Sequence, residues 1–209
     1  MEILLKNNFT SHYGLSISSA SNIYRQTNIS YFELQDDAFL IYQNFGEGVA
    51  KYKNIKSFTV NVINYEAFIN SLPSTFQLNR EKCDLIVYTD EKQYFLLNEL
   101  TDTLPKYVNP FTNNQGLQIG KRVKAISQLL NTLTDLMSVP SINSFANSYT
   151  VKHCCFFNKQ SVSPPLINAS AAFNRINTIA INGIKMVNAG IESFDFELYE
   201  YSGSQIYTL

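Results

Sequence analysis

The sequence has few cysteines and no long apolar segment. Its three cysteines, Cys83, Cys154 and Cys155, are an odd number without CxxC spacing, which argues against a disulfide framework and against a cysteine zinc site. No segment approaches the roughly 18 to 20 consecutive apolar residues of a membrane span. The apolar run at residues 3–5 is too short for a signal peptide. We therefore expect a cytoplasmic protein without membrane contact.

Charge of either sign is also scarce. Only 16% of the residues are charged, and the 16 lysines and arginines nearly cancel the 17 aspartates and glutamates. A formal net charge of −1 argues against a surface that is cationic throughout for nucleic acid, although it is compatible with a local basic patch. Hydrophobic residues make up 45% of the 209 residues, which excludes disorder from low hydrophobicity and predicts one domain over residues 1–209.

Several common catalytic signatures are missing. The sequence has no glycine-rich phosphate loop, no HExxH and no GxSxG, which argues against nucleotide-dependent, zinc-protease and serine-hydrolase activities. It also has no internal repeat of fixed period and no long linker rich in proline, glycine or serine. We therefore place no domain boundary within the chain.

The clearest pattern in the sequence is a β-hairpin followed by a long helix. Leu85–Tyr88 and Gln93–Thr101 are β-branched and aromatic runs on either side of the polar turn Thr89–Lys92, and such runs pair as antiparallel strands. Lys121–Met137 has apolar residues at helical spacing and is stopped shortly afterwards by Pro140. We expect this helix to pack on a sheet through Val123, Ile126, Leu130, Leu133 and Met137, with Leu129 and Leu136 widening the stripe.

A third strong strand is predicted over Tyr149–Phe157, so the order is strand, strand, helix, strand. A strand that returns after a helix commonly lies parallel to an earlier strand. The fold class is therefore α/β or α+β, with a mixed central β-sheet flanked by helices.

Shorter elements are predicted on both sides of this core. Residues 1–30 are polar and weakly periodic, and residues 174–190 show no clear period. Ser193–Tyr201 alternates and carries acidic residues on its polar face, so we expect an edge strand there. The other expected elements are short strands at 31–34, 38–42 and 55–62 and a short helix between Tyr65 and Pro73.

Two acidic residues, Asp84 and Glu99, stand at similar distances from the hairpin turn. Because side chains alternate along a strand, Asp84 shares a face with Ile86, and Glu99 shares a face with Leu97. The two antiparallel arms therefore allow the carboxylates to approach each other. Close carboxylates at a sheet end suit Mg²⁺, which takes oxygen ligands and keeps several waters. Since like charges repel in the metal-free protein, we expect replacement of either acid by alanine to leave the protein folded.

This region resembles the core of the PD-(D/E)xK nuclease-like superfamily over roughly residues 60–160. The resemblance is carried by Cys83-Asp84 with the strand after it, by Phe95–Thr101, by Gln128-Leu129 in the helix and by the strand at 149–157. It implies a restriction-endonuclease-like fold, with Asp84 and Glu99 as the acids that bind Mg²⁺. The family carries a lysine two positions after the second acid, where this sequence has Thr101. Lys106, Lys121 or Lys124 are candidates to replace it, and Lys121 is assigned the catalytic role.

A basic turn, Lys121, Arg122 and Lys124, begins the long helix. Helix amino termini favour anions, so this turn is a candidate for contact with a nucleic-acid backbone, and an ordinary solvated turn is the alternative. Glu66 is either a third acid or part of a solvated helix face. We expect His153 to be a satisfied core histidine, and Cys154 and Cys155 to pack on opposite faces as small apolar residues.

Three functions follow from these patterns. The first is a metal-dependent DNA phosphodiesterase in a restriction or defence context, with Mg²⁺ held by Asp84 and Glu99. The second is a nuclease-fold module without catalysis, which binds nucleic acid or a protein partner and is favoured by Thr101. The third is an α/β protein without nuclease ancestry, since acids at strand ends also arise by chance.

Overall fold

The computed structural model describes residues 1–17, 22–35, 41–42, 46–78, 80–160 and 183–209. The strands in these ranges are β1 (Tyr24–Thr27), β2 (Tyr31–Leu34), β3 (Ile41–Tyr42), β4 (Ala50–Lys53), β5 (Val60–Asn64), β6 (Leu85–Thr89), β7 (Tyr94–Thr101), β8 (Phe111–Asn113), β9 (Gly116–Gln118), β10 (Val151–Asn158), β11 (Ile184–Met186), β12 (Glu197–Ser202) and β13 (Tyr207–Thr208). The helices are α1 (π-helical over Leu4–Phe9 and continuing over Thr10–His12), α2 (Tyr65–Asn70), α3 (Ser74–Gln77), a 3₁₀ turn (Pro105–Tyr107), α4 (Lys121–Met137), α5 (Pro140–Ala146) and α6 (Ala189–Glu192).

A mixed sheet of seven strands lies at the centre of the described structure, in the order β1-β5-β6-β7-β10-β12-β11. β5, β6 and β7 form an antiparallel meander. β10 and β12 run parallel to β7 on its other side, and β1 and β11 close the two edges in antiparallel fashion. The expected hairpin, the strand that returns parallel after a helix and the mixed α+β class are therefore confirmed.

The two faces of the central sheet are covered by different layers. Helices cover one face, called the helical face below, where Leu129 of α4 shares an apolar cluster with Leu97 of β7. The opposite face is covered by a smaller sheet in the order β13-β4-β2-β3, whose Phe32 and Tyr52 cluster with Val87 of β6. Every residue of β6 is buried as a result, which explains its unbroken apolar run. This second sheet was not predicted.

The buried face of α4 is rotated from the one we expected. The helix has the predicted bounds, and Leu133 and Met137 are buried, but Val123 is 45% exposed and Ile126 and Leu130 are only partly buried. The expectation that Val123 packs on the sheet is therefore wrong. The chain packs Ala125 inward at that level instead, against Val108 and Phe156. The buried residues of α4 are Ala125, Leu129, Thr132, Leu133, Leu136 and Met137.

Leu129→Ala is expected to lower the free energy of unfolding by about 2 to 5 kcal/mol, because Leu129 is fully buried and its removal leaves a cavity. The control on the exposed side of the same helix is Val123→Ala, which is expected to change stability by less than about 0.5 kcal/mol. Denaturant unfolding of both variants measures the difference. Equal stability of the two would show that this face of α4 is assigned wrongly.

Several shorter elements differ from expectation. The segment 1–30, which we took as weakly periodic, contains α1 and β1, and α1 buries Leu5 and Phe9. α4 ends at Met137, and Pro140 is the first residue of α5, a position where proline is well tolerated. The strand expected over 55–62 begins only at Val60. β12 is not an edge strand, because β11 pairs outside it. The predictions at 38–40 and 174–182 lie outside the described residues.

Two findings bear on the cysteines and the membrane. Cys83, Cys154 and Cys155 are buried free thiols, and Cys154 and Cys155 lie in the clusters on opposite faces of the sheet, as predicted. Among the residues that the structure describes, no helix combines the length and the apolar character needed to cross a membrane.

His153 lies on the face opposite the helices and is held by hydrogen bonds. Its Nδ1 is 2.7 Å from the Tyr207 hydroxyl, and its Nε2 is 3.4 Å from Oε2 of Glu197, which also binds Lys185. Burial lowers the pKa of His153 from 6.5 to about 4, while the Glu197 carboxylate acts in the opposite direction. The ring is therefore neutral at pH 7, and its nitrogens are satisfied as predicted, but it is half-buried rather than in the core.

The stability of the protein is expected to fall as the pH drops from about 6.5 to about 4. The unfolded chain binds a proton at His153 near pH 6.5, whereas the folded protein binds it only near pH 4, and the difference corresponds to about 3 kcal/mol. His153→Gln is expected to flatten this dependence in urea unfolding at several pH values. The only other histidine of the sequence, the exposed His12, provides the matched control His12→Gln. Equal slopes for both variants would contradict the role of His153.

Candidate acidic site

Glu99 lies on the helical face at one end of the central sheet, and Asp84 lies at the same end, just before the neighbouring strand. Glu99 belongs to β7 and alternates with Leu97, which packs among the helices. Asp84 immediately precedes β6, whose register pairs Leu85 with Asn98, the residue before Glu99. Asp84 is 6% exposed and Glu99 is 8% exposed. The hairpin therefore brings the backbone positions of the two predicted acids to the same end of the sheet.

The position of Asp84 is fixed by bonds to two elements. Its backbone N–H donates to the carbonyl of Asn98 at 3.1 Å, and its carboxylate Oδ2 accepts the N–H of Leu100 at 2.6 Å. Its carbonyl oxygen accepts the N–H groups of Tyr65 and Glu66 at 2.9 and 3.1 Å. Asp84 thus joins the start of β6 to β7 and to the beginning of α2.

This geometry corrects our expectation for alanine at position 84. The Leu100 N–H would be left without the carboxylate that it now binds, and an orphaned buried donor costs about 1 to 3 kcal/mol. Asp84→Ala therefore does not test the charge of the acid alone. Asp84→Asn retains a side-chain oxygen for the Leu100 N–H and is the informative variant.

The surroundings of the acid pair are apolar and closely packed. Phe156 lies beside Glu99 in the register of β7 and β10 and forms a buried cluster with Val108 and Ala125. Burial, followed by the negative charges of Glu99 and Asp84, raises the pKa of the Cys83 thiol well above its usual value. Both carboxylates therefore act on the same buried region next to Cys83.

Gly120 sets the position of α4 against this region. A side chain there would place its first carbon 2.3 Å from the carbonyl oxygen of Val108, a contact that the backbone cannot relieve. The N–H of Arg122 donates to the same Val108 oxygen at 3.0 Å. Glycine thus allows the segment that carries Val108 to pack against the first turn of α4, next to Phe156 and Glu99.

The lysines assigned to the site lie at the same end of the sheet but on the surface. Lys121 and Lys124 are exposed in the first turn of α4 and line a cleft outside the acid pair. The Nζ of Lys106 lies 4.7 Å from the centre of the Tyr107 ring. Thr101, at the position of the family's lysine, shares a hydrogen bond of 2.8 Å with Thr103. The catalytic role of Lys121 stays a prediction.

Arg122 is placed differently from its two basic neighbours. Its Nε and Nη2 donate to the two carboxylate oxygens of Glu200 at 2.6 and 2.8 Å, and its Nη1 binds Asn109. The side chains of Arg122 and Glu200 are 13% and 6% exposed. A guanidinium in such a bidentate pair has most of its donors occupied, so Lys121 and Lys124 offer the accessible charges of the basic turn.

One basic residue near the acids was missed in the sequence. Lys82 precedes Asp84 by two residues, and its Nζ lies 3.5 Å from a carboxylate oxygen of Glu66. Its carbonyl oxygen accepts a hydrogen bond of 3.0 Å from the Gln128 side chain. The sequence feature that could have identified Lys82 is its position two residues before Asp84. Glu66 forms this ion pair at the start of α2 rather than standing as an isolated surface charge.

The donor set can be compared with what a metal requires. Among the described residues, no group of three or more His, Cys, Asp or Glu side chains is arranged to hold a metal ion. Mg²⁺, however, is often held by one or two carboxylates together with waters and substrate phosphates, so Asp84 and Glu99 are the residues that would hold this ion.

The chain was also compared with known proteins. No family model, curated protein or solved structure matches it.

Proposed function

We propose that this protein is a divergent relative of the PD-(D/E)xK nucleases and hydrolyses phosphodiester bonds of DNA with the help of Mg²⁺. The observation that carries the proposal is the placement of Asp84, just before β6, and of Glu99, on the adjacent strand β7, at the same end of the sheet and both more than nine-tenths buried. Two carboxylates in such an environment are costly unless they serve a paired or coordinating role.

The residues at this end of the sheet have separate roles in the proposal. Asp84 and Glu99 would hold Mg²⁺ through carboxylate oxygens, and the bond from the Leu100 N–H orients Asp84 for it. Bound Mg²⁺ supplies a Lewis acid for the phosphate and a water of lowered pKa. Lys121 and Lys124 attract the DNA backbone, and Lys121 or Lys82 provides the amine that Thr101 does not.

The proposal is tested by incubating supercoiled plasmid with the protein in Mg²⁺, in Mn²⁺ and in EDTA. We expect nicked and linear products with either metal and none in EDTA, because hydrolysis requires that the charge developing on the phosphate is stabilised. A wild-type protein that cleaves nothing with either metal contradicts the proposal.

A second candidate function is a module that binds DNA without cleaving it. Two observations favour it: Thr101 in place of the lysine, and the burial of Asp84 and Glu99, which restricts access to the acids. Such a module would bind plasmid with or without Mg²⁺ and leave it intact. Binding without cleavage is therefore the result that selects this function.

The double variant Lys121→Ala/Lys124→Ala is expected to lower the slope of log affinity against log salt by about 2, since each lost phosphate contact contributes roughly 1. Arg122 is left unchanged because it is engaged with Glu200. Fluorescence anisotropy with labelled duplex DNA at several salt concentrations gives the slope. The control is Lys53→Ala/Lys56→Ala at the end of β4 and in the following turn. A slope equal to that of the wild type would show that Lys121 and Lys124 are solvated and do not contact DNA.

A further inference from the structure

A cleft of about 390 Å³ lies between the 3₁₀ turn, the β8–β9 hairpin and the first turn of α4. We call it the aromatic cleft. Its volume falls within the range of roughly 300–1,000 Å³ that is common for small-ligand sites. Asp84 and Glu99 do not line it, so the proposed hydrolysis leaves its composition unexplained.

Two aromatic rings form one wall of the aromatic cleft. Tyr107 and Phe111 have ring centres 4.8 Å apart and planes inclined by 60°. Tyr107 is 37% exposed, and Lys106 lies over its ring. The exposed side chain of Ile119 adds an apolar surface to the same cleft. The exposed ring of Tyr107 and the half-buried ring of Phe111 offer stacking surfaces for a flat, unsaturated ligand.

Polar groups complete the cleft in an arrangement suited to a nucleotide. Asn113 and Gln118 line it, and Gln118 lies directly opposite Phe111 in the hairpin. Amide side chains can donate to and accept from the edge of a base. Lys121 and Lys124 contribute two exposed positive charges to the same cleft, which a phosphate group complements.

We propose that the aromatic cleft binds an unpaired nucleotide of a DNA strand, with the base on Tyr107 and Phe111 and the phosphate on Lys121 and Lys124. The inference rests on the proposed function, since it assigns the same lysines to DNA and names its preferred form. A base inside a duplex must first be unstacked, which costs energy, whereas a base in a single strand is already accessible. The protein therefore prefers single-stranded over duplex DNA.

The test uses Tyr107→Trp, because the sequence contains no tryptophan and the new indole is the only one. Tryptophan retains the stacking surface and reports on it by fluorescence. We expect a single strand of about twelve nucleotides, a length within the usual range of single-strand binding sites, to quench its emission to saturation. The titration is carried out in EDTA. The matched control is Tyr31→Trp, since Tyr31 is 41% exposed and also has a lysine, Lys53, over its ring.

Phe111→Ala in the Tyr107→Trp protein is expected to weaken binding of the strand by about tenfold or more, the loss typical of one stacked base. Duplex DNA of the same sequence is expected to bind more weakly than the single strand. If deoxyadenosine monophosphate quenches the new tryptophan with the same affinity as the single strand, the aromatic cleft is a binding site for a free nucleotide. Equal quenching of Trp at positions 31 and 107, or none at 107 while anisotropy reports binding, overturns the inference.

Failure of this inference can be separated from failure of the proposed function. Plasmid cleavage that is unaffected by Phe111→Ala, with no quenching at position 107, would leave hydrolysis intact and remove the nucleotide site. Quenching at position 107 in a protein that cleaves no DNA would support the nucleotide site and contradict hydrolysis.

Discussion

Glu99→Gln is expected to lower Mg²⁺-dependent plasmid cleavage by about a thousandfold or more, because bound metal contributes several kcal/mol of charge stabilisation in the transition state and each 1.4 kcal/mol is about tenfold in rate. Glutamine keeps the size of the side chain and one oxygen but removes the charge. The measurement is the rate at which supercoiled plasmid is converted to nicked and linear forms, with circular dichroism to verify folding.

Asp84→Asn is expected to produce a similar loss, since it removes the second charge and keeps an acceptor for the Leu100 N–H. Glu192→Gln, at the exposed end of α6, is the matched control and should cleave like the wild type. Undiminished cleavage by Glu99→Gln would contradict the assignment of the acid pair. Loss of cleavage in the Glu192→Gln control as well would point to a contaminating or general effect instead.

Arg122→Ala and Glu200→Ala are each expected to lower the free energy of unfolding by about 3 to 5 kcal/mol, because either change leaves an uncompensated buried charge. The pair is nearly closed to solvent and links the first turn of α4 to β12. Thermal or denaturant unfolding of both variants measures the effect.

The double variant Arg122→Met/Glu200→Leu provides the informative comparison. Replacement of a whole buried ion pair by apolar side chains is often neutral or stabilising, so the double variant should be more stable than either single one. Lys121→Ala, one residue away on the exposed side, is expected to change stability by less than about 0.5 kcal/mol. A single variant as stable as the wild type would show that the charges are screened by water.

The parts of the fold with strong periodicity were predictable from the sequence. The hairpin of β6 and β7 and the bounds of α4 followed from alternation and from helical spacing. The buried face of α4 was not predictable in this way. Ala125 packs inward against Val108, and no local pattern in the sequence shows that contact. The interior position of β12 was missed for a related reason: the acidic side chain of Glu200 is neutralised by Arg122.

The candidate site was predictable only in part. Counting residues from the hairpin turn was enough to bring Asp84 and Glu99 to the same end of the sheet, since antiparallel pairing fixes the register. It was not enough to show that Asp84 also holds the Leu100 N–H, or that Arg122 is paired while Lys121 is exposed. Those properties arise from tertiary contacts. Metal binding and catalysis stay predictions.

The smaller sheet depends on residues that are far apart in the chain. β13 pairs with β4, so Tyr207 lies beside Tyr52, a separation of 207 − 52 = 155 residues, and the N–H of Leu209 donates to the carbonyl of Lys53 at 2.9 Å. Closing a loop of that length costs entropy before the contacts form, and such pairings slow folding. We therefore expect the pairing of β13 with β4 to form late as the chain folds, after the local pairing of β2 with β4.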